Sequence, residues 1–365
     1  MFPAVALLGS RQCGKTTLAK QLGGQYFDME LSEDQLKLDL KWDTLIDQTE
    51  LIILDEAQAA PDIFLRIRAA IDQERKRKGR FLLLGSVSPM LMKGVSESLA
   101  GRIGYVDLSP FSLDELPDQI LDDHWLKGGY PDGGILEPLN YPRWHREYLR
   151  TLTERDLPNW GLPASPVMTQ RLLKMLSAVQ GDLWNASKVS SSLGIDAKTL
   201  QSYLDYLEGG FLVRRLSAFS ANSKKRLVKS PKVYIRDSGL LHSLFQIASL
   251  DQLLEQPWVG NSWEGYVIEQ LLSHLDQRGI IYEPFFFRTS DGYEIDLLLE
   301  VKGKRIAIEI KLSSHPSLSD VKRLEKTALM AGADQSILIS RTPEVVQGDG
   351  ILHTHLKDLL ERGIV

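Results

Sequence analysis

The chain has 365 residues, of which 43% are hydrophobic and 25% are charged, and its 43 Lys and Arg against 48 Asp and Glu give a net charge of −5. This length predicts about two or three folded units, and the composition excludes a mainly disordered chain. The slightly acidic balance excludes a surface covered with positive charge, so contacts with nucleic acid would have to come from a local basic patch.

Cysteine content and hydropathy indicate the compartment. Cys13 is the single cysteine of the sequence, so no intramolecular disulfide can form. No apolar run approaches the roughly 18 residues that a membrane-spanning helix needs. These two features predict a cytoplasmic protein with no membrane partner.

The first 110 residues alternate between apolar strands and amphipathic stretches of helix length. The predicted strands are residues 4–8, 26–29, 51–54 and 81–84. Such alternation is typical of a parallel sheet with crossover helices, so the predicted fold class is α/β, with an N-terminal parallel-sheet domain.

Proline and glycine clusters divide the rest of the chain, at residues 110–142 and 157–166. Three short helices and two strands are predicted over residues 169–235. The periodicity beyond them predicts a helix near Trp263, strands near 284–288, 293–300 and 305–312, a helix near 317–331 and a strand at 336–340. The predicted domains are therefore residues 1–164, 165–240 and 241–365.

A phosphate-binding pattern follows the first predicted strand. Residues 9–16 read GSRQCGKT, which matches GxxxxGK[ST] between an apolar strand and a helix. Backbone N–H groups of such a loop surround phosphates, Lys15 would reach the β and γ phosphates, and Thr16 would offer its hydroxyl to Mg²⁺. The alternative is a chance glycine loop. The residues predicted to bind ATP here are Gly9, Ser10, Arg11, Gln12, Cys13, Gly14, Lys15, Thr16 and Thr17.

A second acidic motif ends the strand predicted at 51–54. The segment LIILDEAQ, residues 51–58, places Asp55 and Glu56 directly after apolar residues. Together with the upstream loop, this pattern predicts that Asp55 binds Mg²⁺ and that Glu56 polarises the attacking water. The alternative is an acidic N-cap of the next helix.

Two further polar residues are candidates for the same reaction. Ser86 follows the strand FLLLG and would sense the γ phosphate at the same sheet edge, although a turn also explains Gly-Ser. Arg102 would stabilise the transferring phosphate of a neighbouring subunit if the protein forms a homo-oligomeric ring. The alternative for Arg102 is an ordinary surface position.

Carboxylates recur in the C-terminal part. Glu264 lies on the apolar stripe of its predicted helix, where a charge needs a partner. The segments YEIDLLLE and RIAIEIKL predict a hairpin, and a two-residue turn at Lys302 and Gly303 sets Asp296 opposite Glu309.

Opposed carboxylates repel each other unless a cation compensates them. A divalent ion, Mg²⁺ or Mn²⁺, bound by Glu264, Asp296 and Glu309 would do so, and Lys311 would position a nucleophile. The alternative is a solvent-facing hairpin with a cross-strand pair of Glu294 and Lys311.

The middle part has a basic character. Its helix at residues 197–208 presents Lys198, Gln201, Ser202 and Asp205 opposite an apolar stripe, and the following loop contains Lys224, Lys225, Arg226 and Lys229. This arrangement resembles a winged helix, which predicts DNA binding. A spacer between domains is the alternative.

The order of these motifs, together with GGYP, KSPKVYIRDSGLL and GNSWEGYVIEQLL, resembles the prokaryotic AAA-type ATPases whose C-terminal half has a PD-(D/E)XK nuclease-like fold. The resemblance covers nearly the whole chain. It implies Walker A at residues 9–16, Walker B at Asp55 and Glu56, sensor 1 near Ser86, and a nuclease-like core whose residues are Glu264, Asp296, Glu309 and Lys311.

The expected function is therefore a Mg²⁺-dependent ATPase that acts on or with DNA, with metal-dependent cleavage by the C-terminal domain. Its expected catalytic residues are Lys15, Glu56, Arg102 and Lys311. The alternative is a nucleotide-controlled switch or scaffold whose C-terminal domain binds a partner without cleavage.

Overall fold

The computed structural model describes residues 1–85, 97–117, 120–220, 228–348 and 350–364. Its strands are β1 Ala4–Leu8, β2 Gln25–Asp28, β3 Ile52–Asp55, β4 Phe81–Leu84, β5 Ile103–Asp107, β6 Val213–Ala218, β7 Lys232–Ile235, β8 Tyr282–Arg288, β9 Glu294–Val301, β10 Lys304–Ile310, β11 Gln335–Ile339, β12 Val346–Gly348 and β13 Ile351–Thr354.

The helices of the described ranges alternate with these strands. They are α1 Lys15–Gln21, α2 Ser32–Asp47, α3 Ile63–Gln73, α4 Leu121–Lys127, α5 Arg143–Thr151, α6 Pro166–Ala178, α7 Ala186–Leu193, α8 Ala197–Gly209, α9 Ser238–Leu244, α10 Leu250–Leu254, α11 Val259–Gln277, α12 Leu318–Ala331 and α13 Leu356–Arg362. A π-helical turn, Leu152–Asp156, and a short turn, Leu157–Asn159, continue α5. Within the described ranges, no helix is long and apolar enough to cross a membrane.

The first compact unit contains residues 1–110, 154–163 and 209–211. Its sheet is parallel throughout and has the strand order β2-β3-β4-β1-β5. The four strands predicted in this region are confirmed, two of them shifted by one residue, whereas β5 was not predicted. Because the strands are parallel, the ends of β1 and β3 lie at one edge of the sheet, on either side of β4.

The second compact unit contains residues 111–153, 164–208 and 212–365. Its sheet is mixed, with the strand order β12-β13-β11-β10-β9-β8-β6-β7. Helix α11 contributes Trp263 and Leu271 to a core that also contains Leu297 of β9 and Ile308 of β10. The buried face of the longest helix is thus covered by the centre of the sheet.

The division into units differs from the three predicted domains. Helices α6, α7 and α8 and the antiparallel pair β6 and β7 form in the predicted order. However, β6 also pairs in parallel with β8, through Ser217 with Phe285 and Ala218 with Phe286. This pairing joins β6, from the region predicted as residues 165–240, to β8 of the C-terminal sheet. The three predicted domain bounds stay a prediction.

The predicted hairpin register is confirmed over five pairs of β9 and β10. Val301 pairs with Lys304 and Leu297 pairs with Ile308. Lys302 at the turn has the left-handed φ of 51° that a two-residue connection of this kind requires. Asp296 and Glu309 follow immediately beyond the last of these pairs.

Candidate functional site

The phosphate loop connects β1 to α1, and two of its glycines are required by space or conformation. A Cβ atom on Gly9 would lie 2.3 Å from the carbonyl oxygen of Leu108. Gly14 has a φ of +106°, which side chains rarely allow. The sequence between the strand and the helix therefore folds as the predicted glycine loop.

Lys15 is held inside this loop. Its Nζ donates hydrogen bonds to the carbonyl oxygens of Gly9, at 2.9 Å, and Ser10, at 2.7 Å. The residue is only 8% exposed. Beside it, burial raises the pKa of the Cys13 thiol, which favours the protonated form and agrees with a packing role.

Asp55 connects the loop to β3. Its Oδ2 accepts hydrogen bonds from Thr16 Oγ1 and from the hydroxyl of Tyr26, both at 2.7 Å, and its Oδ1 accepts the backbone N–H of Glu56 at 3.0 Å. Thr16 and Asp55, the two predicted Mg²⁺ ligands, are thus brought into contact. Tyr26 was not among the predicted site residues, because its place beside Asp55 depends on the pairing of β2 with β3.

Glu56 has an unusual backbone. Its φ of 46° lies in the left-handed region, which costs of the order of 1 kcal/mol for a residue with a side chain. Burial raises the pKa of Glu56, and this effect is opposed by a hydrogen bond from Gln58 and by the charge of Arg11. The predicted base is therefore partly desolvated, as suits a proton acceptor.

Arg11 of the loop pairs with a residue far along the chain. Its guanidinium donates to Asp156, which also accepts from Arg155 Nε at 3.0 Å. Asp156 is 2% exposed and ends the π-helical turn. The two partners are 145 residues apart, so no local sequence pattern could have predicted this contact.

Arg102 is not brought to the phosphate loop of its own chain. It precedes β5, whose Ile103 pairs with the first residue of β1, whereas the loop follows the last residue of β1. At this opposite edge its Nε and Nη2 donate to the carboxylate of Asp72 at 2.8 and 2.9 Å. A role towards a neighbouring subunit stays a prediction. Ser86 lies outside the described residues.

The second unit has a carboxylate cluster, which we define as Glu264 of α11, Glu294 and Asp296 of β9, and Glu309 of β10. Lys232 of β7 lies among them: its Nζ is 2.8 Å from Glu264, 2.7 Å from Glu294 and 3.9 Å from Asp296.

Tyr234, two residues further along β7, also donates its hydroxyl to Glu264. Glu264 therefore has the partner that its apolar position requires. Lys232 and Tyr234 were missed, although their alternation on a short strand placed both side chains on one face.

Glu309 and Lys311 lie together, as strand alternation predicted. Lys311 Nζ is 2.6 Å from Glu309 Oε1, while Glu309 Oε2 is buried without a hydrogen-bond partner. Asp296 Oδ2 accepts the backbone N–H of Ile310 at 2.8 Å. The alternative pair of Glu294 and Lys311 does not form, because Glu294 contacts Lys232 and Arg288.

Burial is the largest cause of the pKa shifts in the carboxylate cluster. It raises the pKa of Glu264 to about 7 and that of Glu309 to about 8, with further contributions from the charge of Asp296. Within the described ranges, no three or more His, Cys, Asp or Glu side chains are grouped so that they could hold a metal ion. The predicted metal at Glu264, Asp296 and Glu309 is therefore not supported. The ammonium of Lys232, which contacts two of these carboxylates, is a second reason against it.

The two acidic residues on the surface of α8 share one arginine partner within the same unit. Arg215 of β6 pairs with Asp205 at 2.8 Å and with Glu208. Gln201 also donates to Asp205, at 2.9 Å. The basic loop residues Lys224, Lys225 and Arg226 lie outside the described residues, and Lys229 is exposed.

The comparison with protein families agrees with the presence of a phosphate loop in the N-terminal part. Residues 1–117 match a family model described as an AAA domain. Residues 118–251 and 259–358 match two models described as domains of unknown function, DUF8612 and DUF4143. The chain therefore has an N-terminal AAA domain, which is characteristic of an AAA-type ATPase family.

Relatives extend over the whole chain. An uncharacterized protein of Mycobacterium tuberculosis and one of Mycobacterium bovis are each 36% identical over 370 residues, which cover 98% of this chain and 83% of the relative. The chain belongs to the family of these two mycobacterial proteins.

Solved structures resemble the chain only distantly. Can2 from Sulfobacillus thermosulfidooxidans, in complex with cyclic tetra-adenylate, is 10% identical with a TM-score of 0.25 and covers 98% of this chain and 97% of its own. A protein of Vibrio cholerae is 12% identical with a TM-score of 0.24, at 98% and 95% coverage. At these TM-scores neither structure supports a conclusion on fold or function.

Proposed function

We propose that the protein is a Mg²⁺-dependent ATPase that acts on or with DNA. The observation that carries the ATPase part is the 2.7 Å hydrogen bond between Thr16 and Asp55. It joins two oxygen donors of the kind that Mg²⁺ prefers, at the end of the loop that contains Lys15. The AAA domain match over residues 1–117 supports the same reaction.

Each residue of the loop edge has a distinct role in this proposal. Lys15 would exchange the carbonyl oxygens of Gly9 and Ser10 for the β and γ phosphates of ATP. Thr16 and Asp55 would hold Mg²⁺, which when bound neutralises phosphate charge. Glu56 would orient the attacking water and accept its proton.

Two variants separate binding from hydrolysis. Lys15→Ala should lose tight ATP binding, whereas Glu56→Gln should bind ATP but hydrolyse it about 10²-fold more slowly. Glu33→Gln, on the exposed start of α2, is the matched control and should behave as wild type. Wild-type turnover in Glu56→Gln would remove Glu56 from the reaction.

The DNA part of the proposal is supported by the charge of the middle region. Arg215 contacts both Asp205 and Glu208, which reduces the repulsion between the surface of α8 and phosphates. If the loop residues Lys224, Lys225, Arg226 and Lys229 contact phosphates, log affinity for duplex DNA should fall with log salt at about −0.9 per contact. Replacing the four residues with Ala should flatten this slope, and duplex DNA should stimulate ATP hydrolysis by wild type.

A nucleotide-controlled switch or scaffold is the second candidate function. It is favoured by the contact of Lys232 with the carboxylate cluster, which removes support for metal-dependent cleavage. In that case DNA would neither bind in a salt-dependent manner nor stimulate hydrolysis. Plasmid nicking by wild type that is lost in Lys311→Ala would instead restore cleavage as the function of this unit.

A further inference from the structure

The carboxylate cluster of the second unit already has a cation. We propose that the ammonium of Lys232 takes the place that a divalent metal ion would hold, so that this unit folds and works without metal at the cluster. The proposal is independent of ATP hydrolysis, because it concerns the second unit alone.

The position of Lys232 is fixed by the sheet. Its backbone pairs with Leu216 of β6, and a further bridge connects it to Leu183. The residue is 3% exposed, and its Nζ lies 5.7 Å from the ring centroid of Phe286. Lys232 is therefore a built part of the interior, unlike a surface lysine that turns towards a nearby acid.

The charges around the cluster are almost balanced by side chains. Among the described residues, its four carboxylates face three cations: Lys232, Lys311, which contacts Glu309 at 2.6 Å, and Arg288, which contacts Glu294 at 3.2 Å. A divalent ion would add two positive charges to a nearly neutral group. Lysine and arginine side chains thus supply most of the positive charge that the sequence predicted from a metal ion.

Lys232 and a metal ion would also compete for the same oxygens. Mg²⁺ binds oxygen ligands at about 2.0–2.1 Å and needs a nearly complete octahedral shell. Oε1 of Glu264 already accepts from Lys232 at 2.8 Å and from Tyr234. An ion bound there would stand beside a buried ammonium, where like charges repel strongly. Metal entry therefore requires Lys232 to leave.

The test removes the ammonium while keeping an unbranched side chain. Thermal unfolding of the full chain is followed without ATP, with and without MnCl₂, for wild type, Lys232→Met and Lys304→Met. Lys304 is an exposed lysine of the same sheet and serves as the matched control. Loss of one partner of a buried ion pair should lower the melting temperature of Lys232→Met by roughly 10 °C.

Mn²⁺ should then restore at least half of this loss in Lys232→Met by mass action, and a second change, Asp296→Asn, should abolish the restoration. In wild type and in Lys304→Met, Mn²⁺ should cause no change in melting temperature that Asp296→Asn removes. ATP hydrolysis should be unchanged in Lys232→Met, because the residue is not part of the nucleotide site.

Two outcomes overturn the proposal: a Mn²⁺ shift in wild type that Asp296→Asn removes, or a folded Lys232→Met that gains nothing from Mn²⁺. If Lys232→Met does not fold, free Mn²⁺ is measured by electron paramagnetic resonance with the Asp55→Asn variant and with Asp55→Asn/Asp296→Asn. Equal uptake by the two supports the proposal, and greater uptake by the first overturns it.

Discussion

The nucleotide site and the carboxylate cluster both contain buried carboxylates, yet they compensate negative charge differently. Asp55 is contacted by the neutral hydroxyls of Thr16 and Tyr26. Glu264 is contacted by a buried ammonium, that of Lys232. A carboxylate with neutral donors keeps its charge available to a metal ion, whereas one with a cation partner does not. The two sites therefore differ in the nature of the nearest donor, which is a neutral hydroxyl at Asp55 and an ammonium at Glu264.

The largest expected effect tests the first half of this comparison. The neutral hydroxyls of Thr16 and Tyr26 do not cancel the negative charge of Asp55. Because Asp55→Asn removes this charge, ATP hydrolysis should fall by at least about 10²-fold. Steady-state phosphate release at saturating ATP and Mg²⁺ measures it. Asp28→Asn, which changes the neighbouring carboxylate at the end of β2, is the control. Equal rates in the two variants would show that the metal is held elsewhere.

The pH dependence of stability tests the second half. Burial raises the pKa of Glu309 from 4.5 to about 8, so the folded protein keeps a proton that the unfolded chain releases. The free energy of unfolding should consequently fall as pH rises from about 5 to 8. Glu309→Gln should reduce this fall by roughly 3.5 kcal/mol between pH 5 and 8, measured by urea unfolding at low and high pH.

Glu283→Gln is the control for that measurement, because Glu283 is an exposed carboxylate of β8 in the same sheet. It should keep the wild-type pH dependence. A fall that is the same in Glu309→Gln and in wild type would mean that Glu309 is ionised in the folded protein across this range.

A smaller effect concerns the hydroxyl in the cluster. Tyr234→Phe removes the hydrogen bond to Glu264 and should lower the free energy of unfolding by about 1.5 kcal/mol, as expected for a bond to a charged group. Tyr105→Phe, on the exposed edge strand β5, should have no effect. Equal stability of Tyr234→Phe and wild type would mean that Lys232 alone satisfies Glu264.

The smallest expected effect asks whether a residue beyond the AAA domain match belongs to the nucleotide site. Asp156→Asn weakens the ion pair with Arg11. It should therefore reduce kcat/KM for ATP by roughly fivefold, the size of a modest positioning effect. Arg155→Ala should change it less, since Arg155 is 62% exposed. In an Arg11→Ala background Asp156→Asn should have no further effect, and an additive effect would argue against a joint role.

Local patterns predicted much of the fold. The four strands around the phosphate loop and the register of β9 with β10 depend on residues close in sequence, so periodicity and turn length were sufficient. Strand β5 was missed because its residues Tyr105 and Val106 are exposed at the sheet edge and lack the apolar signal of a central strand. Strands β12 and β13 were not predicted either.

The candidate sites were predictable in their acidic residues and in a local partner such as Lys311 beside Glu309, but not in the partners from distant segments. Lys232 lies 32 residues from Glu264, and Asp156 lies 145 residues from Arg11. Such contacts are set by the order of strands and by the packing of distant segments, which local spacing does not contain. A buried charge in a sequence thus signals that a partner exists without identifying it.

The π-helical turn Leu152–Asp156 has a consequence for sequence comparison within the family. A π turn accommodates one residue more than an α turn, so it is equivalent to a single insertion in an otherwise regular helix. Removing one residue there would restore α-helical geometry and rotate the following side chains by about 100° around the axis. Asp156 would then point away from Arg11. A one-residue gap in the alignment of a relative at this position should therefore be accompanied by loss of the arginine in its phosphate loop.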